Sequence, residues 1–266
     1  MNNFTNINFY IINLDSRKDR WREIVEELKK QNITNYKRFN AIRPTIPQIL
    51  KVPFIDLRQF WRFRSLKNEN DAKYCIGASG CKLSHYHLLK NIQKDANSNK
   101  YFIILEDDCV LRENFWNNLT NSLKYIEENN IDFNILYLGC NLHTADSFDV
   151  IDKNLLKCNL NHGHTTHSLL FKKENIPIVL KHIENSKAEI DKVYTQLENR
   201  YIVYPILTYQ RETISNICSY REFGKGGLLE NKSENTPIFY GYLDEKEFIK
   251  NKVQEWLKRE HLRRDS

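Results

Sequence analysis

The chain lacks most of the features that settle a protein's class at a glance. No apolar run reaches membrane-spanning length, which excludes a bundle of transmembrane helices. The six cysteines, at positions 75, 81, 109, 140, 158 and 218, include no Cys-x-x-Cys pair. That scatter fits reduced thiols in a cytosolic compartment better than a disulfide framework. The opening Met1-Asn-Asn-Phe-Thr-Asn6 lacks the basic-then-apolar order of a secretory signal, so the expected location is the cytoplasm, with peripheral membrane attachment left open. Gly224-Lys-Gly-Gly227 lacks the Gly-x-x-x-x-Gly-Lys-Ser/Thr order of a P-loop, so ATPase chemistry is unsupported. It reads as a surface turn, or as a lid that brings Lys225 over a phosphate. There is no internal repeat and no low-complexity linker. Basic residues are spread among acidic ones rather than gathered in a stripe, so nucleic acid is not an expected partner.

What remains is the composition of a soluble α/β protein. The 266 residues are 41% hydrophobic and 28% charged, enough for one large α/β domain or two small ones. A net charge of +6 suits anionic ligands such as nucleotide diphosphates, acidic glycans or a membrane surface. Phe9 to Leu14 reads as a buried strand. Asp15 or Ser16 is then expected to cap a helix carrying Trp21, Ile24, Val25 and Leu28 at helical spacing. Further strands are expected at 39–42, 101–105, 134–138, 168–171 and 201–204. Helices are expected after Gly80 (His85, Leu88, Leu89, Ile92) and over Phe115, Leu119, Leu123 and Ile126. Residues 44–75 read as irregular. Strands alternating with helices predict a mostly parallel sheet covered on both faces, with ligands at the strands' carboxyl ends. We expect a catalytic domain over 1–240 and an amphipathic basic helix within 241–266. Ile249, Val253, Trp256 and Leu257 share a face of that helix, which suits packing on the domain or attachment to an anionic membrane.

The run Tyr101-Phe-Ile-Ile-Leu-Glu-Asp-Asp108 carries the most chemistry. Five strand-forming residues end in three carboxylates, which cannot be buried without compensation. They belong at a strand end beside water, a cation or a basic partner. A period of two points Glu106 and Asp108 to one face and Asp107 to the other. Two oxygen ligands on one face suit a hard divalent cation that also holds phosphate. If the first and third strands are parallel, Asn13-Leu-Asp15 faces the same crevice.

Three segments together resemble glycosyltransferase family 25. They are Ile12-Asn-Leu-Asp-Ser-Arg-Lys-Asp-Arg20, Gly80-Cys-Lys-Leu-Ser-His85 as a helix start, and Leu105-Glu-Asp-Asp108. Weaker echoes follow in Thr166-His167, Ile190-Asp191, Pro205, Gln210 and Ser215. The chain departs from the pattern at Ala78, where the family has glutamate, and at Asn216, where it has aspartate. The resemblance implies a GT-A-type nucleotide-binding α/β fold and inverting transfer of a hexose, galactose above all, from a UDP-sugar. The acceptor it implies is a surface glycan, lipooligosaccharide or glycoprotein.

Under that resemblance Glu106 and Asp108 hold Mn²⁺ or Mg²⁺. Asn13 and Asp15 dock the uracil and ribose, while Arg17 and Arg20 pair with phosphate. Asp107 contacts ribose or fixes a turn, Ser84 and His85 line the pocket, and His167 sits beside the donor or metal. Asp191 is the expected general base, with Glu189 as substitute. Each has a plainer reading: Asp15 as a helix cap, His85 as a packing residue, and Asp191 as part of a charged helix surface. Cys158-x-x-x-His162-x-His164-x-x-His167 contains zinc-ligand types but matches no common finger spacing. Two other functions stay open: a metal-dependent nucleotidyltransferase, and a nucleotide- or glycan-binding protein without turnover.

Overall fold

Two near-continuous apolar runs form the middle of the molecule, as strands covered on both faces must. The computed structural model describes residues 7–60, 69–95, 99–211 and 247–264; Ser215, Asn216, Cys218 and the 224–227 glycine segment lie outside the described residues. In chain order the elements are β1 (Asn8–Asn13), α1 (Lys18–Lys30), β2 (Tyr36–Asn40), α2 (Ile46–Ile49), α3 (Glu69–Lys94) and β3 (Tyr101–Glu106). Next come β4 (Cys109–Leu111), α4 (Phe115–Glu128), β5 (Ile135–Tyr137), β6 (Phe148–Asp152), β7 (Leu155–Cys158) and β8 (Ser168–Lys172). The described chain ends with α5 (Ile176–Asn185), α6 (Ile190–Thr195), β9 (Arg200–Val203), β10 (Thr208–Gln210) and α7 (Glu247–Arg264).

Eight strands form one sheet in the order β2-β1-β3-β8-β5-β9-β7-β6. From the pairings, β1, β2, β3, β5, β6 and β9 run one way, and β7 and β8 run the other. The sheet is therefore mostly parallel by direction, with antiparallel strands inserted. Strand alternation builds the two layers that cover it. Tyr10, Ile12, Phe102 and Ile104 pack with Leu88 and Leu89 of α3, Val179 and Ile183 of α5, and Val193 of α6. Phe9, Ile11, Ile103 and Leu105 face the other way, onto Ile24 and Leu28 of α1 and Leu119 and Leu123 of α4. Each such side chain contributes about 1.5–3 kcal/mol when fully buried.

A second, two-stranded sheet joins β10 to β4. It holds the turn after β3, because the Arg211 amide donates to the Asp108 carbonyl at 2.7 Å. Helix α7 buries Ile249 and Val253 in the core that contains α3, and Lys252 Nζ donates to the Ala145 carbonyl at 2.8 Å. The expected apolar face is thus packed against protein. Among the described residues no helix is long and apolar enough to cross a membrane.

Several expectations need correction. The second strand is Tyr36–Asn40 rather than 39–42, in register from Phe9↔Tyr36 to Asn13↔Asn40. It is an edge strand with exposed Lys37 and Arg38, so its apolar signal is weak. Neither Asp15 nor Ser16 caps α1; Arg17 occupies the N-cap position, with no side-chain cap bond. Residues 44–75 are not uniformly irregular, since they contain α2, a short 3₁₀ turn at Leu57–Gln59 and the beginning of α3. Gly80 to His85 does not begin a helix but lies in the middle of α3. A Cβ on Gly80 would fall 2.4 Å from the Ile42 carbonyl. Close approach to the chain after β2 is what the missing side chain provides there.

Candidate active site at the carboxyl ends of β1 and β3

Parallel pairing places Ile12 beside Glu106, so the two polar strand ends do share one rim. On the α1 side, Asn13 Nδ2 donates to Asp107 Oδ2 at 2.6 Å and Arg20 Nη1 to Asp107 Oδ1 at 2.9 Å. Arg20 Nη1 is also 3.5 Å from Asp108 Oδ2. Asn13 Oδ1 accepts from Arg38 Nε at 2.9 Å. The Arg38 guanidinium lies 5.1 Å from the Trp21 ring centroid and 3.3 Å from Asp15. Asp15 is mostly exposed, which leaves its carboxylate at the mouth of the crevice.

Glu106 faces the opposite layer, as strand alternation requires. Its Oε1 accepts from Thr166 Oγ1 at 2.6 Å and from Cys81 Sγ at 3.5 Å, and lies 3.4 Å from His85 Nε2. Asp107 follows the alternation too, since it meets Arg20 of α1. Asp108 belongs to the turn that closes β3, so the period of two ends before it. Its Oδ1 is buried with no hydrogen-bond partner. Burial and the nearby Glu106 charge push the Asp108 carboxyl up to about 7, against the pull of Arg20. Burial also acts to raise Glu106, but the His85 and Thr166 contacts overcome it and hold that carboxyl at about 2. Asp107 is raised by burial, with Arg20 and Asn13 opposing.

The remaining expected residues gather around this rim with different duties. Ser84 Oγ donates to the Gly80 carbonyl at 2.7 Å and accepts from the Ile42 amide at 2.8 Å, so its hydroxyl fastens α3 to the loop after β2. His85 is fully buried, with Nδ1 3.3 Å from Tyr194 Oη. His167 is buried under the rim, and its carbonyl accepts the Glu106 amide at 2.9 Å. Burial holds the His167 imidazole down at about 4, which keeps it neutral. Asp191 lies in the first turn of α6, its Oδ1 accepting the Lys192 amide at 2.8 Å. Burial raises its carboxyl, and Cys81 is within electrostatic reach of both Asp191 and Glu106. Glu189 is tied to Tyr74 Oη at 3.1 Å and is nearly fully buried, an anchor more than a base. Arg17 turns away to pair with Asp19 at 2.7 Å.

The Cys158–His167 segment does not assemble a metal site. Buried Arg200 donates to Cys158 Sγ at 3.5 Å, to the His162 carbonyl at 2.6 Å and to the Asn159 carbonyl at 2.7 Å. A guanidinium thus organises the loop where a zinc ion was conceivable. Among the described residues, the His/Cys/Asp/Glu group with donor atoms within 4.8 Å of one another is Cys81, His85 and Glu106.

Sequence comparison decides the family. The profile of glycosyltransferase family 25, described as LPS biosynthesis protein, matches residues 6–211. The chain belongs to glycosyltransferase family 25. A provisionally named glycosyltransferase of Acanthamoeba polyphaga mimivirus is 37% identical over 128 residues, which is 46% of this chain and 35% of that protein. The chain therefore spans about a third of the length of this relative. Among solved structures, S. aureus TarS 1–349 aligns with a TM-score of 0.37 at 12% identity, over 77% of this chain and 60% of that one. Mannose-1-phosphate geranyltransferase from Thermus thermophilus aligns with a TM-score of 0.32 at 8% identity, over 76% and 74%.

Within this family 25 chain, two rim residues escaped the sequence reading, and a third was named only as an echo of the family pattern. Arg38 lies on an edge strand with no motif around it. Thr166 stood in the Thr166-His167 echo without a role; it follows Thr165, whose φ of 119° is rare for a β-branched residue. Tyr194 is one helical turn beyond Asp191, a spacing that is suggestive only once α6 is known.

Proposed function

We propose that this protein is an inverting glycosyltransferase that moves a hexose, galactose above all, from a UDP-sugar to a hydroxyl of a surface glycan, lipooligosaccharide or glycoprotein. The observation that carries the reading is Asp108 Oδ1, buried and without a hydrogen-bond partner, at a rim where three successive carboxylates end β3 and buried Arg20 meets the last two. A buried carboxylate oxygen without a donor is costly, and a divalent cation with the nucleotide's phosphates would satisfy it. Glu106 and Asp108 are the residues that would hold Mn²⁺ or Mg²⁺; all-oxygen ligands from carboxylate and phosphate suit these hard ions. Bound there, the cation offsets the negative charge that grows on the departing diphosphate.

The chain's own residues supply the rest. Asn13, fully buried and locked between Arg38 and Asp107, fixes the floor beside exposed Asp15, which is left to meet the nucleoside. Arg38, stacked on Trp21, is a cation that can swing toward phosphate. Arg20 opposes the burial that raises the Asp107 carboxyl. Asp191 takes the acceptor hydroxyl's proton on its carboxylate as that oxygen attacks the anomeric carbon. Its raised pKa brings it closer to the working pH, where a general base is most effective. The test is donor binding against turnover: Asp191→Asn should retain UDP-sugar binding and lose transfer. Unchanged transfer would remove Asp191 from this role.

A further inference from the structure

Cys81, His85 and Glu106 make a donor set of which the proposed transfer reaction uses only Glu106. Cys81 and His85 are one turn apart on one face of α3, an i,i+4 pair on a rigid helix. Glu106 meets them from the end of β3, where its amide is fixed by the His167 carbonyl at 2.9 Å. The three donor atoms lie within 4.8 Å of one another. Two of the separations are tighter: 3.5 Å from Cys81 Sγ and 3.4 Å from His85 Nε2 to Glu106 Oε1. Zinc–ligand bonds of about 2.0–2.3 Å in a tetrahedron give ligand–ligand edges of about 3.3–3.6 Å, so these two separations match, and the third, from Cys81 Sγ to His85, lies within 4.8 Å. The surroundings are those of a prepared site. His85 Nδ1 lies 3.3 Å from Tyr194 Oη, which orients the ring and leaves Nε2 for the metal. Thr166 Oγ1 donates to Glu106 Oε1 at 2.6 Å. Outer partners of this kind fix the geometry of metal-bound imidazole and carboxylate groups. Cys81 and Glu106 are only part-buried, so an ion can reach them.

We propose that Cys81, His85 and Glu106 form a site for a borderline-soft divalent ion, Zn²⁺ above all. The thiol proton leaves to solvent as the Cys81 sulfur bonds to the metal. Three protein ligands leave a fourth position open to water or a ligand oxygen, the pattern of exchangeable rather than purely structural zinc. A thiolate–imidazole–carboxylate set favours Zn²⁺ or Co²⁺ over Mg²⁺, which distinguishes it from a cation held by Glu106, Asp108 and phosphate.

The test uses the full chain, stripped of metal with a chelator and titrated with Co²⁺ alone. We expect one Co²⁺ per chain, with a thiolate-to-cobalt charge-transfer band that Zn²⁺ bleaches. Cys81→Ser should abolish the band and Asp108→Asn should retain it. Zn²⁺ should also raise the Tm of the parent protein but not that of Cys81→Ser. Should Cys81→Ser fold poorly, Glu106→Gln, of similar shape, should weaken Co²⁺ binding at least tenfold. A parent protein without the band, or a band that survives Cys81→Ser, overturns the proposal. Because Asp108→Asn leaves this site intact, failure of the transfer mechanism and failure of the zinc site give different results.

Discussion

Asp191 and the Arg20–Asp107 pair are the residues whose physics can be checked one at a time. Burial raises the Asp191 carboxyl, so the fold favours its protonated form. That contribution is complete below the ordinary carboxylate pKa of about 4 and is lost as pH rises through the raised value. Asp191→Asn removes the burial cost of the charge. It should therefore raise Tm at pH 8, raise it less at pH 4, and lower kcat about 10²–10⁴-fold. Thermal melts at the two pH values and a single-turnover assay check both halves. The Arg20–Asp107 pair is a buried ion pair, both side chains being almost wholly buried. Arg20→Met leaves Asp107 charged without its partner and should cost about 3–5 kcal/mol. Adding Asp107→Asn should recover much of that loss, and denaturant titration of the two variants measures it.

At the scale of elements, α3 holds the rim together. It carries Cys81, Ser84 and His85 toward the site, and buried Lys82 donates to the carbonyls of Phe54, Ser186 and Ala188 at 2.7–2.9 Å. Those bonds tie the loop before α6, and with it Asp191, to the helix. Replacing a mid-helix glycine with alanine usually gains about 1 kcal/mol. At Gly80 the new Cβ would lie 2.4 Å from the Ile42 carbonyl, and such overpacking costs about 1–3 kcal/mol. The clash should win, so Gly80→Ala is expected to lower Tm; a rise would mean that the loop yields freely. The same helix marks the limit of reading from sequence. Gly80 looked like a boundary because propensity is local, whereas close packing of α3 on Ile42 is a tertiary contact. By contrast β3, α4 and β8 were legible, since their apolar spacing is set by the layers that they separate. The β6–β7 hairpin went unread, although Asp152 Oδ1 accepting the Asn154 amide at 2.8 Å is an ordinary turn.

Over the whole molecule, the parallel β2-β1-β3 side of the sheet brings the ends of β1 and β3 to one rim, and that much was legible from two apolar runs ending in polar clusters. The division of labour at the rim was not. Period-two alternation correctly separates Glu106 from Asp107, but it fails at Asp108 because the chain turns there and β4 pairs with β10. The partners Tyr194 and Arg38 come from distant elements with no local signature, and the Thr166-His167 echo gave Thr166 no role. Removing α7 should also be felt globally. Loss of buried Ile249 and Val253 exposes the core beside β6, and truncation after residue 246 is expected to lower Tm and increase binding of a hydrophobic dye.

The central claim is that carboxylates at this rim hold a cation that stabilises a departing nucleotide. The most direct measurement is UDP release from a panel of UDP-sugars with Mn²⁺ and acceptor, comparing the parent protein with Asp108→Ala. We predict turnover that requires the added metal, stops with a chelator, and falls to background in the variant. Equal turnover by Asp108→Ala, or turnover indifferent to the chelator, would contradict the account.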